Sequence, residues 1–516
     1  MKFLLTIIQA VGLGCASAAA GRRVLHYLQL ESYQLPGYVK SVKRNAMRAL
    51  IPPVAMAAVG VAALRLSGLT GLALLLEALA AALLVRQAAK EKAKKPFVVT
   101  ERVKRLLAVH VAVNAALALI LLLISPTLGY LLPAFEPALL VLAAAIAAPM
   151  EKRIAGQFVK DAQARLAAQP NLIKIGITGS YGKTSTKFLL RDILSVKYNV
   201  LATPSSFNTT MGVTRVIREQ LTPAHQVFIA EMGARHVGDI HELVELVHPQ
   251  MGLLTSVGPQ HLDTFGTIER VRDTKYELID GLPEDGTAIF ARDGAICEEL
   301  FERCTLKKKY KPGMLVDAKD IACGPWGTRF TLVDAQTGEE ASCQTRLLGE
   351  HSISNLLLCC TAARALGMTI EEIALGVSRC QPVEHRLELL DGGAGVSIID
   401  DAFNANPVGA QCALRVIRSF PGRRIIITPG MVELGGKEDE FNRTFGQQMA
   451  DSVDIAILVG RKHTQPIVDG LTKAGFPQEN IHVVGSLEES TTLLHSMMQS
   501  GDVVLYENDL PDNYSE

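Results

Sequence analysis

No net charge remains in the sequence, because Lys plus Arg and Asp plus Glu each number 52. That balance leaves no electrostatic footprint for a nucleic-acid partner. Cysteines at metal or redox spacing are also missing: nine Cys stand at irregular intervals, none of them as C-x-x-C. Zinc-ribbon and thioredoxin-like sites are unsupported, and the thiols read as reduced, buried cysteines on a cytosolic side. The C-terminal part holds no G-x-G-x-x-G, so dinucleotide binding is not indicated. There is no convincing Ser-His-Asp or Cys-His set for nucleophilic catalysis.

What the chain has in excess is apolar residues. Mean hydropathy is +0.22, and most of the surplus lies before Glu151. A chain of 516 residues exceeds one ordinary core, so two or three domains are expected. Apolar stretches run approximately over Phe3–Gly21, Ala49–Leu64, Leu66–Val85, Leu106–Ile124 and Phe135–Met150, the second and fifth short for a membrane span. The first is not read as a cleaved signal. A signal would export the nucleotide-binding part downstream, and Arg22 and Arg23 lie on its wrong side.

Basic residues follow the first, third and fifth stretches: Arg22, Arg23, Lys40, Lys43, Arg44 and Arg48; then Arg86 through Arg105; then Lys152 and Arg153. The opposite connections carry only Arg65. The positive-inside rule then predicts a multi-pass protein of the plasma membrane, with its N-terminus outside and everything after Glu151 in the cytoplasm. Glu77, inside the third stretch, is read as either a packing group facing a neighbouring helix or a functional one.

From Leu172 the pattern becomes alternating strands and helices. "LIKIGIT" reads as a buried parallel strand and Lys183–Leu194 as the helix after it, with further strands at Gln226–Met232, Gly252–Val257 and Thr287–Ala291. The layout predicts a doubly wound α/β domain. Between the first strand and helix stands "GITGSYGKTS". It is close to a phosphate loop, but Ile177 occupies the place where the common pattern has glycine. Gly179 and Gly182 let backbone N–H groups wrap a phosphate, Lys183 neutralises it, and Thr184 offers a hydroxyl to Mg²⁺. Downstream, Glu231 ends a strand in "IAEMG", His261 follows the next strand in "GPQHLDTFG", and Lys275 lies on a helix in "RDTKYE". Each is weak alone; their order carries the signal.

In that order the chain resembles the Mur ligases, ATP-dependent amide-forming enzymes of cell-wall precursor synthesis. The similarity extends through "SSFNTTMGVTRVI", "LLGEHSISNLLLCCTAA", "EHRLE", "DDAFNANP" and "GMVELG", and is greatest to the branch that adds D-alanyl-D-alanine to UDP-N-acetylmuramoyl-tripeptide. The family's loop is T-G-[ST]-x-G-K-[ST], which places Ile177 in the strand and Tyr181 at the variable position.

The resemblance implies a binding site for ATP formed by Gly179, Ser180, Gly182, Lys183, Thr184 and Ser185, with Asn355 at adenine, Arg386 at the phosphates and Asp401 at the ribose. It implies Mg²⁺ held by Thr184, Glu231, His261 and Lys275, the last as a carbamate. Asn208 and Thr209 would face the acceptor carboxylate, with Asn404 and Asn406 shaping the loop beyond. The implied chemistry is an acyl phosphate made by Lys183, Glu231, His261 and Lys275, then amide formation with an amino acid or dipeptide.

The expected domains are a transmembrane region over 1–153, an ATP-binding central domain over 154–384 and a Rossmann-like C-terminal domain over 385–516. Two departures stand out. Apolar spans occupy the place of the family's soluble first domain, so the precursor could be UDP-linked or lipid-linked. The last strand ends in "LYENDLPDNYSE" where the D-alanyl-D-alanine-adding enzymes have a basic "KGS" turn. Glu507, Asp509 and Asp512 there read as a frayed acidic tail, or as groups meeting an amine or a partner protein. Other readings are a ligase for a polymer of the poly-γ-glutamate kind, and a P-loop ATPase driving transport.

Overall fold

The computed structural model describes residues 2–90, 96–205, 207–260, 262–292, 294–403, 405–432, 434–461 and 463–509. His261, Asn404 and Asp512 lie outside them. One compact unit ends at Gln157 and a second begins at Phe158.

In the first unit, five helices are long and apolar enough to cross a membrane: Phe3–Ala20, Ala46–Ser67, Thr70–Lys90, Glu101–Ile124 and the helical segment Leu132–Ala167. The two stretches that looked short are extended by residues with charged side chains at their ends. Small residues let these helices approach closely: a Cβ on Gly14 would come within 2.6 Å of the Ala115 backbone nitrogen. Glu77 faces the neighbouring helix at Gly60 and is fully buried, with no hydrogen bond to either oxygen among the described residues. A second polar cluster is closed on itself: the Ser17 hydroxyl donates to Glu136 Oε1 at 2.6 Å, and His110 Nε2 lies 2.9 Å from Glu136 Oε2. Large apolar side chains such as Leu4, Ile8, Leu75, Leu79, Leu83 and Ile120 point outward and are exposed.

The second unit begins with a parallel sheet of order β2-β3-β1-β4-β5-β6: β1 Ile173–Thr178, β2 Val200–Ala202, β3 Val227–Glu231, β4 Met251–Leu254, β5 Thr287–Phe290 and β6 Lys308–Tyr310. Continuous apolar runs make these strands, because both faces of the sheet are covered. One face packs on helices Lys183–Leu194, Glu350–Ala365 and Ile370–Arg379. The other packs on Thr210–Gln220, Asp239–Val247 and Ile268–Asp280. Register pairs Ile177 with Glu231 and Thr178 with Leu254, so the loops after β1, β3 and β4 open at one edge of the sheet. Ligands of open parallel sheets bind at that edge. The expected strand through Val257 stops at Leu254, and Thr255 turns into the phosphate loop, where its hydroxyl donates to the Tyr181 carbonyl at 2.6 Å.

An antiparallel three-stranded sheet follows, with β7 Val316–Gly324, β8 Gly327–Asp334 and β9 Glu340–Thr345. The last sheet has the order β10-β11-β15-β12-β13-β14 and is parallel except for β10. Its strands are β10 Glu388–Asp391, β11 Ser397–Asp401, β12 Arg424–Thr428, β13 Ile455–Val459, β14 Ile481–Val484 and β15 Val503–Glu507. Asp401 and Glu507 end adjacent strands side by side.

Candidate active site

The phosphate loop needs glycine for two physical reasons. Gly179 has φ +145°, and a Cβ there would collide with the Thr255 hydroxyl; Gly182 has φ +80° and packs against Asn355, whose Oδ1 would lie 2.7 Å from a Cβ. The loop is pinned from outside: Ser180 Oγ donates to the Gly258 carbonyl at 2.9 Å and the Tyr181 hydroxyl to the Pro259 carbonyl at 2.8 Å. Lys183 Nζ folds back onto the loop, donating to the Gly179 and Ser180 carbonyls at 2.7 and 3.0 Å. Burial lowers its ammonium to about 8; Glu231 works upward and Arg386 downward. Ser185 lies in the first turn of the same helix.

Glu231 is the hub, 1% exposed at the end of β3. Its Oε1 accepts from the Thr184 hydroxyl and from Asn208 Nδ2, each at 3.1 Å. Its Oε2 accepts from Lys187 Nζ at 2.8 Å. Burial drives this carboxyl upward, but Lys187 and Lys183 overcome it and hold it below the usual glutamate range. An ionised carboxylate beside a hydroxyl is a hard, all-oxygen donor pair that fits Mg²⁺. Among the described residues no group of three or more His, Cys, Asp or Glu side chains forms a metal cluster.

Lys187 is a residue of the site that the motif reading did not single out. It is fully buried, one helical turn after Lys183, and donates also to the Ser205 carbonyl at 2.7 Å. Its signal in the sequence is the i, i+4 spacing from Lys183, which puts both lysines on one helix face. Lys275, on Ile268–Asp280, is 2% exposed. Burial and then the neighbouring Lys183 ammonium push it well below the usual lysine range, against weaker upward pulls from Asp239 and Glu277. Asn355 also accepts a hydrogen bond from the Thr186 hydroxyl at 3.4 Å. Thr209 caps its helix, accepting from the Gly212 N–H at 3.3 Å. Asn406 does likewise for Pro407–Arg418, accepting from the Gly409 N–H at 3.0 Å, so its side chain is occupied as a cap.

Arg386 is presented on a strained turn: His385 and Leu387, on either side, have φ +59° and +47°. His385 Nδ1 lies 2.7 Å from Asp400 Oδ2, and the Leu387 N–H donates to Asp401 Oδ1 at 3.2 Å. The guanidinium stacks 4.4 Å from the Phe403 ring centroid and feels Asp401, Glu231 and Glu507. Glu507 therefore does not belong to a frayed tail. It is the last residue of β15, 1% exposed, and its carboxyl lies against that of Asp401. Burial first, then the Asp401 carboxylate, push it well above the usual glutamate range, and burial raises Asp401 to about 6. Asn508 is fixed as well, with its amide donating to the Gly430 carbonyl and accepting from the Ala405 N–H.

The geometry is thus a glycine loop with two lysines, a carboxylate–hydroxyl pair and an arginine, able to hold a polyphosphate beside a second substrate. Comparison with known proteins agrees. Residues 177–363 match the Mur ligase middle domain, and residues 385–506 match the Mur ligase glutamate ligase domain. The UDP-N-acetylmuramoyl-tripeptide–D-alanyl-D-alanine ligase of Bacillus subtilis is 28% identical over 337 residues, which is 64% of this chain and 72% of the relative. The ligase of that name from Mycobacterium bovis is 32% identical over 364 residues, 64% of this chain and 69% of the relative. Crystal structures of MurF from Acinetobacter baumannii and of MurF from Thermotoga maritima with ADP share the fold. Their TM-scores are 0.63 and 0.61, each at 24% identity, covering 70% and 69% of this chain and 78% and 80% of theirs. The chain belongs to the Mur ligase family of ATP-dependent, ADP-forming acid–amino-acid ligases.

Proposed function

We propose that this protein is a membrane-anchored ligase of the MurF type, joining a muramoyl-tripeptide carboxylate to the amine of D-alanyl-D-alanine. The observation that carries the reading is the convergence of Lys183, Thr184, Asn208 and Lys187 on or beside Glu231 at the mouth of the phosphate loop. The acceptor carboxylate attacks the γ-phosphorus of ATP, the bond to ADP breaks, and an acyl phosphate forms. The amine then attacks the acyl carbon, the C–N bond forms, phosphate leaves, and the amine loses its proton. Negative charge gathers between two anions in the first step, so cations aimed at it lower the barrier. Lys183 and Arg386 supply that charge, Asn208 faces the acceptor, and Asn355 and Asp401 hold adenine and ribose. Thr184 and Glu231 would hold magnesium, whose charge would offset that of the phosphate oxygens. His261 would share in holding it.

Lys275 suits carbamate formation. A lysine kept neutral by burial has the free lone pair that attacks CO₂, and with one proton released the product is an anionic carbamate able to act as an oxygen ligand. Residues 154–384 would act as the ATP-binding domain and 385–516 as a Rossmann-like domain carrying the amine. The apolar helices of residues 1–153 would anchor the enzyme with its ligase domains in the cytoplasm. Their outward apolar faces favour a second form of acceptor, a lipid-linked precursor, beside the UDP-linked one.

The test is phosphate release by the purified full-length protein with ATP and Mg²⁺, offered UDP-linked or lipid-linked tripeptide with D-alanyl-D-alanine or other amines. Release is expected only with acceptor and amine together, and Lys183→Ala should abolish it. Release indifferent to every acceptor would sink the ligase reading. Lys275→Ala should lose activity that a small carboxylate partly restores, and the intact protein should carry one added CO₂ by mass spectrometry under bicarbonate.

A further inference from the structure

Three donors converge on the Glu231 carboxylate, and they come from two different segments. Thr184 and Lys187 stand on the helix Lys183–Leu194, Asn208 on the segment leading to Thr210–Gln220. Lys183 acts on Glu231 only through its charge. Lys187 bridges the two segments, holding Glu231 Oε2 at 2.8 Å with one N–H and the Ser205 carbonyl at 2.7 Å with another. Ser205 is held in a left-handed conformation, φ +29°, which a non-glycine residue adopts at a cost unless its surroundings impose it. The same segment is clamped again three residues on, where the Gly233 N–H donates to the Asn208 carbonyl at 2.8 Å. A Cβ on Gly233 would meet the Asn208 side chain at 2.8 Å, so there is no slack at this junction.

We propose that Lys187 is a positioning residue that couples occupancy of the metal-facing carboxylate to the placement of Ser205 and Asn208 beside the acceptor. The proposal rests on the ligase reading of this site. Lys187 is the resident cation of Glu231. A divalent ion arriving at Oε1 meets an ammonium already sharing the carboxylate, and it competes with Asn208 for the same oxygen. With Oε1 engaged by an ion, the Asn208 amide would be free to face the acceptor, while Lys187 would keep Oε2 and the Ser205 carbonyl in place. Binding of metal and of acceptor are then linked, and linkage is reciprocal.

Two variants of the full-length protein separate the charge of Lys187 from its bridge. Mn²⁺ binding is measured by equilibrium titration without nucleotide at pH 8, and initial rates give kcat and the KM of each substrate. Lys187→Met keeps the buried volume but removes the cation, so Mn²⁺ should bind about tenfold tighter. Its acceptor KM should rise about tenfold, with the KM for ATP unchanged because Lys183 is untouched. Lys187→Arg keeps the charge but not the reach, so Mn²⁺ affinity should stay within about twofold of wild type while the acceptor KM still rises. A structural prop would instead weaken metal, ATP and acceptor together. That result, or an acceptor KM unmoved in both variants, overturns the proposal. Failure of the ligase reading is distinguishable, because wild type would then release no acceptor-dependent phosphate while its Mn²⁺ titration stays measurable.

Discussion

At the scale of single residues, the site works by setting burial against charge. Asp401 and Glu507 make this visible at the ends of β11 and β15. Both carboxyls lie above their ordinary range through burial, Asp401 at about 6. A carboxyl whose folded pKa exceeds its unfolded value binds protons in the native state that the unfolded chain has already released. Its stabilising contribution is therefore complete at low pH and fades as pH rises from about 4 through the folded pKa near 6. Glu507→Gln removes one of the two acids, so the variant should be more stable than wild type at pH 8. The difference should shrink toward pH 5, as read by denaturant midpoints at each pH. Equal midpoints at both pH values would show that the pair carries no such cost. These acids also mark the limit of residue-level reading. Lys183, Thr184 and Glu231 were legible because a phosphate loop forces order on the chain. Glu507 was not, since "LYENDLPD" near a terminus has the composition of a loose tail. Only the pairing of β15 between β11 and β12 turns it inward.

At the scale of elements, legibility followed burial. β1, β3, β4 and β5 stand out because a strand covered on both faces is a continuous apolar run. The three-stranded sheet was missed for the opposite reason: "VDAKDIACG" and "EASCQT" alternate weakly, and β7 is broken by an irregularity between Lys319 and Ala322. β10 escaped because "ELLD" is short, antiparallel and mostly exposed. Helix packing in the C-terminal sheet layer gives a sharp test at this scale. Helices Glu438–Ala450 and Gln465–Lys473 touch through reciprocal glycines. A Cβ on Gly446 would strike the Ile467 carbonyl, and one on Gly470 the Arg443 carbonyl. Neither glycine has an unusual φ, so alanine adds volume without backbone strain. Gly446→Ala or Gly470→Ala should cost about 1–3 kcal/mol of C-terminal domain stability through overpacking. Unchanged urea midpoints would mean that the helices separate freely.

At the scale of the whole molecule, the question is whether the five apolar helices lie in a bilayer, and one thiol can answer it. Cys15 lies on the helix Lys2–Ala20 and is exposed, Cys323 is half-buried, and the other seven cysteines are buried. If the first unit were a water-exposed bundle, Cys15 would be the most readily alkylated thiol in the protein. Surrounded by hydrocarbon, the same thiol is out of reach of a charged reagent dissolved in water. In sealed membranes, a membrane-impermeant maleimide should therefore leave Cys15 unlabelled, with any slow labelling confined to Cys323 and removed by Cys323→Ala. Solubilising the Cys323→Ala protein in a mild detergent should not by itself expose Cys15, because detergent tails replace the lipid. Denaturing it in sodium dodecyl sulfate with urea should. The structure exposes Leu4, Leu5 and Ile8 on the same helix, which is the pattern of a lipid-facing side rather than of a mis-packed core. Rapid labelling of Cys15 in sealed membranes would refute the anchor while leaving the ligase reading untouched. Protection would tie the acceptor's carboxylate to chemistry carried out at a membrane surface.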